Sequence, residues 1–484
     1  MLLSELIDGN GRASALEIAG LAEDSRRVRP GYLFAAFPGA KTDGARYVAD
    51  AIARGAVAVL TAPDTQIPDG EVYRLAATNP RRRFASLVAR FYGPQPDTIA
   101  AVTGTNGKTS VASFTRQIWQ QLGFPSASIG TLGVMAPGYE KPLQLTTPDP
   151  ITLHEALRDL KERGVEHVAC EASSHGLAQF RLDGLNLRAA AFTNLSRDHM
   201  DYHKSEEDYF FTKARLFGEV MRPGGVAVIN LDDPYGAELE SLCWARGHKV
   251  IGVGGEGDLR LLSRQPVEGG QVLTIAYRSQ VRDLTLPLVG AFQATNALVA
   301  AGLVIGCGGA ADAVIEAIQH LRAVPGRLQL AGRHPAGARV YVDYAHTPDA
   351  LGNVLTALRP HTRGKLVVVF GCGGDRDRGK RPLMGQVAAE LADRVFVTDD
   401  NPRSEVPALI RQEILASCPT AHEIGDRREA IRAAVASLAA DDVLVVAGKG
   451  HETGQIIGSE VKEFNDVVEV REALSLLETT RGRQ

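Results

Sequence analysis

The chain is poor in cysteine. Its five cysteines (Cys170, Cys243, Cys307, Cys372 and Cys418) are odd in number and scattered, and no two form a C-x-x-C pair. That pattern argues against a disulfide framework and against a structural zinc site, and it fits a reducing compartment. The chain also lacks an excess of either charge: 53 Lys and Arg stand against 57 Asp and Glu, a net −4. No basic surface for nucleic acid is indicated, so no nucleic-acid partner is expected. No apolar run reaches the length of a membrane span. The first residues include Ser4, Glu5 and Asp8 and show no basic segment leading into an apolar one. A cytoplasmic protein that does not use a membrane is therefore expected. Internal repeats and low-complexity tracts are missing as well.

What the chain does have is length enough for about three domains at roughly 150 residues each. Residues 1–96 read as a small α/β unit, with strands over Tyr32–Phe37 and Ala56–Leu60 and a helix over Arg46–Arg54. Gly93-Pro94-Gln95-Pro96 reads as a linker. Residues 97–324 alternate strands (Val165–Cys170, Ala189–Thr193, Val226–Ile229) with helical stretches, the signature of a mostly parallel sheet. Gln271–Arg278 and Asp283–Pro287 read as short β segments, and Asn296–Gly306 as a helix of small residues. Residues 325–484, beginning near Ala323-Val324-Pro325-Gly326, alternate again. Their continuous apolar strands Lys365–Phe370, Arg394–Val397 and Val443–Ala447 suit a Rossmann-like sheet covered on both faces. The fold class is thus α/β throughout, with a nucleotide-binding sheet at its centre. Ligands of such sheets sit beyond the carboxyl ends of the strands.

One loop carries the strongest chemical signal. Gly104-Thr105-Asn106-Gly107-Lys108-Thr109-Ser110 follows a strand-like run and opens a helix whose apolar residues Val111, Phe114, Ile118, Trp119 and Leu122 share one face. Glycines at a helix start turn backbone N–H groups toward a ligand. Lys108 adds a full positive charge, and Thr109 offers a hydroxyl to a magnesium ion. The spacing is shorter than the common phosphate loop, because the first glycine of that pattern would fall at Val102. A bound nucleoside triphosphate is still expected.

Two further clusters follow strands of the same sheet. Glu171 precedes Ala172-Ser173-Ser174-His175-Gly176 and is placed either to hold magnesium or to cap the chain. Asn194-Leu195-Ser196-Arg197-Asp198-His199-Met200-Asp201-Tyr202-His203 offers two histidines and two aspartates. Zinc would suit histidine with carboxylate, but beside a nucleotide magnesium is favoured.

Taken together and in this order, these three motifs resemble the Mur ligases of peptidoglycan synthesis, in particular the branch that forms the UDP-MurNAc-tripeptide. The resemblance runs through the whole chain. It implies ATP and Mg2+ as cofactors, with Lys108 on the phosphates, Thr109 and Glu171 on one magnesium, and Glu171 and His199 on a second. Lys213 matches a lysine that the family carbamylates, although the residues alone read it as a surface helix lysine. A carbamate would turn this cation into an anionic metal ligand. Asn296, Arg327 and Asp343 match positions for adenine, phosphate and ribose. From the residues alone, Asn296 is a polar helix position and Asp343 a strand-end acid, while Arg327 beside Pro325-Gly326 could reach the phosphates on domain closure.

The resemblance also implies the small-molecule substrates, UDP-MurNAc-L-Ala-D-Glu and meso-diaminopimelate, and a monomer. Ser25 in Asp24-Ser25-Arg26 would contact the UDP end. Both that segment and Phe37-Pro38-Gly39-Ala40-Lys41-Thr42-Asp43-Gly44 otherwise read as turns with solvated charges. Thr146, Thr147, Ser174, Gln179 and Arg181 match residues near the muramoyl-dipeptide. Ala172 stands where relatives commonly have valine, a change without chemical consequence. Asp399-Asp400-Asn401-Pro402-Arg403 reads as a turn by itself. In the family, Asp400, Asn401, Pro402 and Arg403 mark the use of meso-diaminopimelate, whose far end carries a carboxylate where lysine ends in an ammonium. Arg403 would attract the first and repel the second. Arg376 would take the other carboxylate, Gly448 and Glu452 would complete the pocket, and Glu452 would accept an ammonium. Rival readings are a ligase for L-lysine, disfavoured by Arg403, and a folylpolyglutamate synthase-like ligase, disfavoured by the N-terminal unit. A nucleotide switch is disfavoured by the set Glu171, His199 and Lys213.

Overall fold

The computed structural model describes residues 1–7, 15–39, 43–67, 72–200 and 202–481. Ala40, Lys41, Thr42 and Asp201, all singled out above, lie outside them. The chain forms three α/β domains around three large sheets, with a fourth, two-stranded antiparallel hairpin of Gly454–Ile457 and Glu460–Glu463 in the last domain. The first sheet is parallel, in the order Gly20–Ala22, Tyr32–Ala35, Ala56–Thr61 and Tyr73–Ala76. The helix Pro80–Tyr92 packs Phe84, Leu87 and Val88 against it. Asn79 caps that helix by accepting from the Arg82 N–H at 3.0 Å, and proline at the first turn removes a donor that would otherwise go unused.

The central sheet has eleven strands. Its parallel middle runs Lys249–Val253, Val226–Asn230, Leu187–Phe192, Thr98–Thr103, His167–Glu171 and Ser126–Gly130. Leu259–Val267 extends the parallel run on one side, and antiparallel strands finish both edges: Gly270–Tyr277 and Gln280–Leu286 beyond it, Gly133–Ala136 and Tyr139–Lys141 on the other side. Every residue of Thr98–Thr103 is buried because helices cover both faces. On one face, Phe114, Ile118 and Trp119 of the helix Lys108–Gln121 meet Ala297, Leu298 and Ala301 of the helix Ala291–Gly306. On the other, Leu153, Leu157 and Leu160 pack with Phe210 and Phe217.

The third sheet is ordered Gln329–Arg333, Arg339–Asp343, Val443–Ala447, Leu366–Phe370, Arg394–Val397 and His422–Glu423, parallel apart from its first pair. Three of its parallel strands run into the loops that begin at Gly371, Thr398 and Gly448. All five cysteines are buried and free. Among the described residues, no helix is long and apolar enough to cross a membrane.

Some predicted boundaries shift for identifiable reasons. The strand expected from Val165 begins at His167. Gly164 takes a left-handed φ of 80°, and the Val165 N–H returns to the Leu160 carbonyl at 3.0 Å, so both residues finish the preceding helix. The helix expected from Asn296 begins at Ala291, because Gly290 at φ 105° makes the turn into it. The helix expected over Arg46–Arg54 is a 3-10 turn, Gly44–Tyr47, followed by an α-helix, Val48–Ala53.

Candidate active site

The strand Thr98–Thr103 has Leu187–Phe192 on one side and His167–Glu171 on the other. Parallel pairing therefore brings the glycine loop, the Asn194–His203 segment and Glu171 to one end of the sheet. Gly104 (φ 149°) and Gly107 (φ 87°, capping the helix Lys108–Gln121) use backbone conformations that only glycine adopts easily. No side chain caps this helix. Its first N–H groups are left for a ligand. The loop is held from the neighbouring strand. Thr105 and Asn106 donate backbone N–H groups to the carbonyl and side-chain oxygens of Asn194 at 2.8 and 2.9 Å, and the Thr193 hydroxyl donates to the Asn106 carbonyl at 2.6 Å.

Lys108 Nζ donates to the carbonyls of Gly104 and Thr105, both at 2.7 Å. Lys213 Nζ donates to the same Gly104 carbonyl at 2.9 Å. Lys213 is 1% exposed and lies 4.2 Å over the Tyr209 ring, so the surface position read from the residues alone is corrected. The cause is the helix Glu206–Arg215, which turns this side chain into the sheet end rather than toward solvent. Burial, and then the neighbouring Lys108, hold the Lys213 amine well below its ordinary pKa. Burial lowers Lys108 too, with Glu171 opposing.

Glu171 is the last residue of its strand and 3% exposed. It accepts from Thr109 Oγ1 at 2.9 Å, from the Thr131 N–H at 2.8 Å and from Thr131 Oγ1 at 3.1 Å. Thr131 has no sequence motif of its own. Nothing but the pairing of Ser126–Gly130 with His167–Glu171 reveals it. Thr147 donates its hydroxyl to the Glu171 carbonyl at 2.7 Å, and Thr146 Oγ1 lies 3.0 Å from Thr131 Oγ1. The Ser174 hydroxyl is buried without a protein partner. His199 takes a positive φ of 55°, with Asp198 accepting from its N–H at 2.8 Å, and its ring meets that of His175 edge-on at 4.8 Å.

The C-terminal domain closes the other wall. Arg327 Nη2 donates to Thr109 Oγ1 at 3.2 Å, and its guanidinium lies 4.5 Å over the Tyr344 ring. Asp349 accepts from Asn106 Nδ2 at 3.0 Å and from Ser196 Oγ at 3.1 Å, a domain-to-loop contact that sequence reading missed. Asp343 is buried and accepts from the N–H groups of Leu328 and Ala345 at 2.7 and 2.8 Å. Burial raises its pKa and Arg327 opposes. Asn296 bonds Gln293 at 3.3 Å behind Gly107. These walls enclose a cavity of about 500 Å3 lined by Lys108, Thr109, Glu171, His199, Lys213, Asn296, Arg327 and Asp343, with Thr146 and Ser174 at its side.

The remaining candidates lie in three other places. Arg181 donates to the Thr147 carbonyl and to Gln179 Oε1, each at 2.7 Å, and Ser25 is buried in its 3-10 turn in the first domain. In the third domain, Asn401 Oδ1 accepts from Lys449 Nζ at 2.9 Å and Asn401 Nδ2 donates to Glu452 Oε2 at 3.0 Å. The ammonium on Glu452 here is that of Lys449, fully buried and 2.9 Å away, another residue without a sequence signal. Arg403, at φ 51°, donates Nη1 to the Gly374 carbonyl at 2.8 Å and pairs its backbone with the hairpin at Ile457. A Cβ on Gly373 would stand 2.8 Å from Arg403 Nη1 and 3.9 Å from Arg376 Cγ, so both guanidinium-bearing side chains flank this glycine. A Cβ on Gly448 (φ 115°) would meet Asp400 Oδ2 at 2.5 Å.

Comparison with known proteins gives a consistent picture. Residues 17–91 match the model for "Mur ligase family, catalytic domain", 102–304 that for "Mur ligase middle domain", and 326–450 that for "Mur ligase, glutamate ligase domain". A UDP-N-acetylmuramoyl-L-alanyl-D-glutamate–2,6-diaminopimelate ligase of Rhizobium meliloti is 54% identical over 465 residues, 96% of each chain. The ligase of the same name from Mesorhizobium japonicum is 53% identical over 474 residues, 98% of each. A solved structure of a UDP-N-acetylmuramoyl-L-alanyl-D-glutamate–2,6-diaminopimelate ligase superimposes with a TM-score of 0.74 at 33% identity, over 99% of both chains.

Proposed function

The chain belongs to the Mur ligase family, and we propose that it joins meso-diaminopimelate to the γ-carboxylate of D-Glu in UDP-MurNAc-L-Ala-D-Glu. ATP is consumed, and UDP-MurNAc-tripeptide, ADP and phosphate are released. The observation that carries this reading is identity of 54% across 96% of both chains with a ligase named for the reaction. The loop Asp400–Arg403 supports the choice of amine. The enzyme acts as a cytoplasmic monomer.

The chemistry follows from the weakness of a carboxylate as an electrophile. The terminal phosphoryl group of ATP passes to the D-Glu carboxylate and ADP leaves. The amine then attacks the acyl carbon, a C–N bond forms, the C–O bond to phosphate breaks and the amine gives up a proton. Lys108 and the free N–H groups at the start of its helix bind the phosphates, with Lys108 exchanging two carbonyl acceptors for phosphate oxygens. Arg327 brings charge from the third domain to the same point. Asn296 and Asp343 border the nucleoside, Ser25 the UDP end, and Thr146, Thr147, Ser174, Gln179 and Arg181 the muramoyl-dipeptide. Arg376, Arg403, Asn401, Gly448 and Glu452 receive the acceptor.

The donors around Glu171 fit magnesium, being a buried carboxylate with the Thr109 hydroxyl at 2.9 Å. Among the described residues, no three His, Cys, Asp or Glu side chains converge as a metal site. A carbamate on Lys213 would supply the missing anion beside Glu171 and His199. Its buried amine, held toward the neutral form, is the form that adds carbon dioxide. Bound magnesium would screen the repulsion between triphosphate and carboxylate.

The test is phosphate release from ATP and UDP-MurNAc-L-Ala-D-Glu with and without amine. Release dependent on meso-diaminopimelate, with L-lysine a poor substitute, is expected. Release independent of any amine defeats the ligase reading, and equal use of the two amines defeats the role of Arg403. Arg403→Lys should raise the KM for diaminopimelate by about tenfold or more, as loss of a bidentate anchor does. Protein equilibrated with 13C-bicarbonate should show a carbamate resonance that Lys213→Ala abolishes.

A further inference from the structure

Arg381 lies in the helix Lys380–Leu391, directly behind the loop that carries Arg376, and its side chain has no exposed surface. It donates to both oxygens of Glu405, Nη2 to Oε1 at 2.8 Å and Nη1 to Oε2 at 3.0 Å. Nη1 also reaches Glu413 at 2.9 Å, and Nη2 reaches the Gly373 carbonyl at 3.3 Å. Glu405 accepts in turn from the Asp375 N–H at 2.6 Å, and Asp375 accepts from the Ser404 N–H and hydroxyl at 3.2 and 2.6 Å. The Gly374 N–H donates to the Asn401 carbonyl at 2.9 Å. These bonds lace residues 373–375, next to Arg376, to residues 401–405, and Arg381 grips both strips from behind, through Gly373 on one and Glu405 on the other. Arg381, ahead of every other influence, keeps the Glu405 carboxyl at about 2, so the grip is ionic throughout the physiological range.

The two strips each contribute one guanidinium, Arg376 from the first and Arg403 from the second. Arg403 Nη1 and Arg376 Cγ both stand beside Gly373, the residue whose carbonyl Arg381 holds, so the spacing of the two side chains depends on how the strips are tied. We propose that Arg381 is a positioning residue for the acceptor: acting through Glu405 and Gly373, it fixes the separation of Arg376 and Arg403 and with it the distance between carboxylates that the pocket accepts. The proposal rests on the acceptor roles given above to Arg376 and Arg403. It makes the pocket a ruler for acceptors with two carboxylates, set by a residue that does not touch them.

The test uses the full-length enzyme with Arg381→Lys, which cannot hold both Glu405 oxygens in a planar fork. It is assayed with diaminopimelate and with 2,7-diaminosuberate, the analogue one methylene longer. The KM for diaminopimelate should rise about tenfold, with the KM values for ATP and UDP-MurNAc-L-Ala-D-Glu changed by less than about twofold. The preference for diaminopimelate over the longer analogue should fall about fivefold or more. Glu405→Gln keeps the side-chain shape and removes the charge. It should move the same ratio in the same direction and serves if Arg381→Lys fails to fold. An unchanged preference in a folded variant overturns the proposal, as does an equal rise in all three KM values, which would mark a general loosening. If wild-type enzyme shows no diaminopimelate-dependent phosphate release, the acceptor reading has failed, and with it the basis of the proposal.

Discussion

Arg427→Met should destabilise the C-terminal domain by about 4 kcal/mol and weaken acceptor binding with it. Arg427 and Asp466 both have side chains without exposed surface, and they form a two-pronged pair, Nε to Oδ1 at 2.8 Å and Nη2 to Oδ2 at 2.7 Å. Nη2 also donates to the Ala447 carbonyl at 2.9 Å, the last residue of the strand that runs into the Gly448–Glu452 loop. Removing one partner of a buried pair costs about 3–5 kcal/mol, because the remaining charge stays buried. An unpaired carbonyl adds roughly 1–3 kcal/mol, and the methionine side chain returns part of the total through packing. About 4 kcal/mol corresponds to roughly a thousandfold shift in the folding equilibrium. The double variant Arg427→Met, Asp466→Leu removes both charges and should recover to within about 2 kcal/mol of wild type. Urea denaturation of the three proteins, with hydrogen exchange to locate the loss in Val443–Ala447 and the Asp466–Arg481 helix, reads the effect. A single variant as stable as the double variant would refute the reasoning, because the cost is assigned to an orphaned charge and not to lost volume.

Two further outcomes are expected. His154 is 1% exposed, its Nε2 has no partner, and burial lowers its pKa to about 4. Its folded value lies below the unfolded one, so its contribution is complete above about pH 6.5 and is lost as pH falls toward 4, by about 3 kcal/mol. Denaturation of His154→Leu at pH 7 and pH 4.5 should show a smaller pH dependence than wild type, and an equal dependence rules this out. Gly104→Ala would place a Cβ 1.9 Å from Thr193 Oγ1, at φ 149°. Thr193 cannot yield easily, because it is tied to the Thr103 and Asn106 carbonyls at 3.3 and 2.6 Å. Strain of about 1–3 kcal/mol plus this clash should weaken ATP binding by about tenfold or more in calorimetry, and affinity within about twofold of wild type would contradict it.

The legible part of the molecule is what short stretches of chain encode. The strands Arg394–Val397 and Val443–Ala447 match their predicted bounds, because unbroken apolar runs between polar loops leave few alternatives. The turn at Gly104–Ser110 was legible because its glycines, lysine and hydroxyl are adjacent. Resemblance to a family named the acceptor loop and Lys213, which their own residues would have left as a turn and a surface cation. Less was legible where a side chain acts on a distant strand. Thr131 reaches Glu171 across 40 positions, Asp349 reaches Asn106 across 243, and Arg381 reaches Glu405 across 24. None of these residues has a neighbour in sequence that marks its task.

By itself, then, the sequence determined the α/β alternation, the phosphate-binding turn and the order of the strand-end motifs, since each depends on periodicity or on residues a few positions apart. The tertiary structure decided which strand ends meet. Pairing Thr98–Thr103 between Leu187–Phe192 and His167–Glu171 gathered Lys108, Glu171, His199 and Lys213 at one end of a sheet. It also decided their ionisation, because burial and proximity shift a proton equilibrium and neither is written in local order: Lys213 is an ordinary lysine in the chain and a buried amine held toward neutrality in the fold.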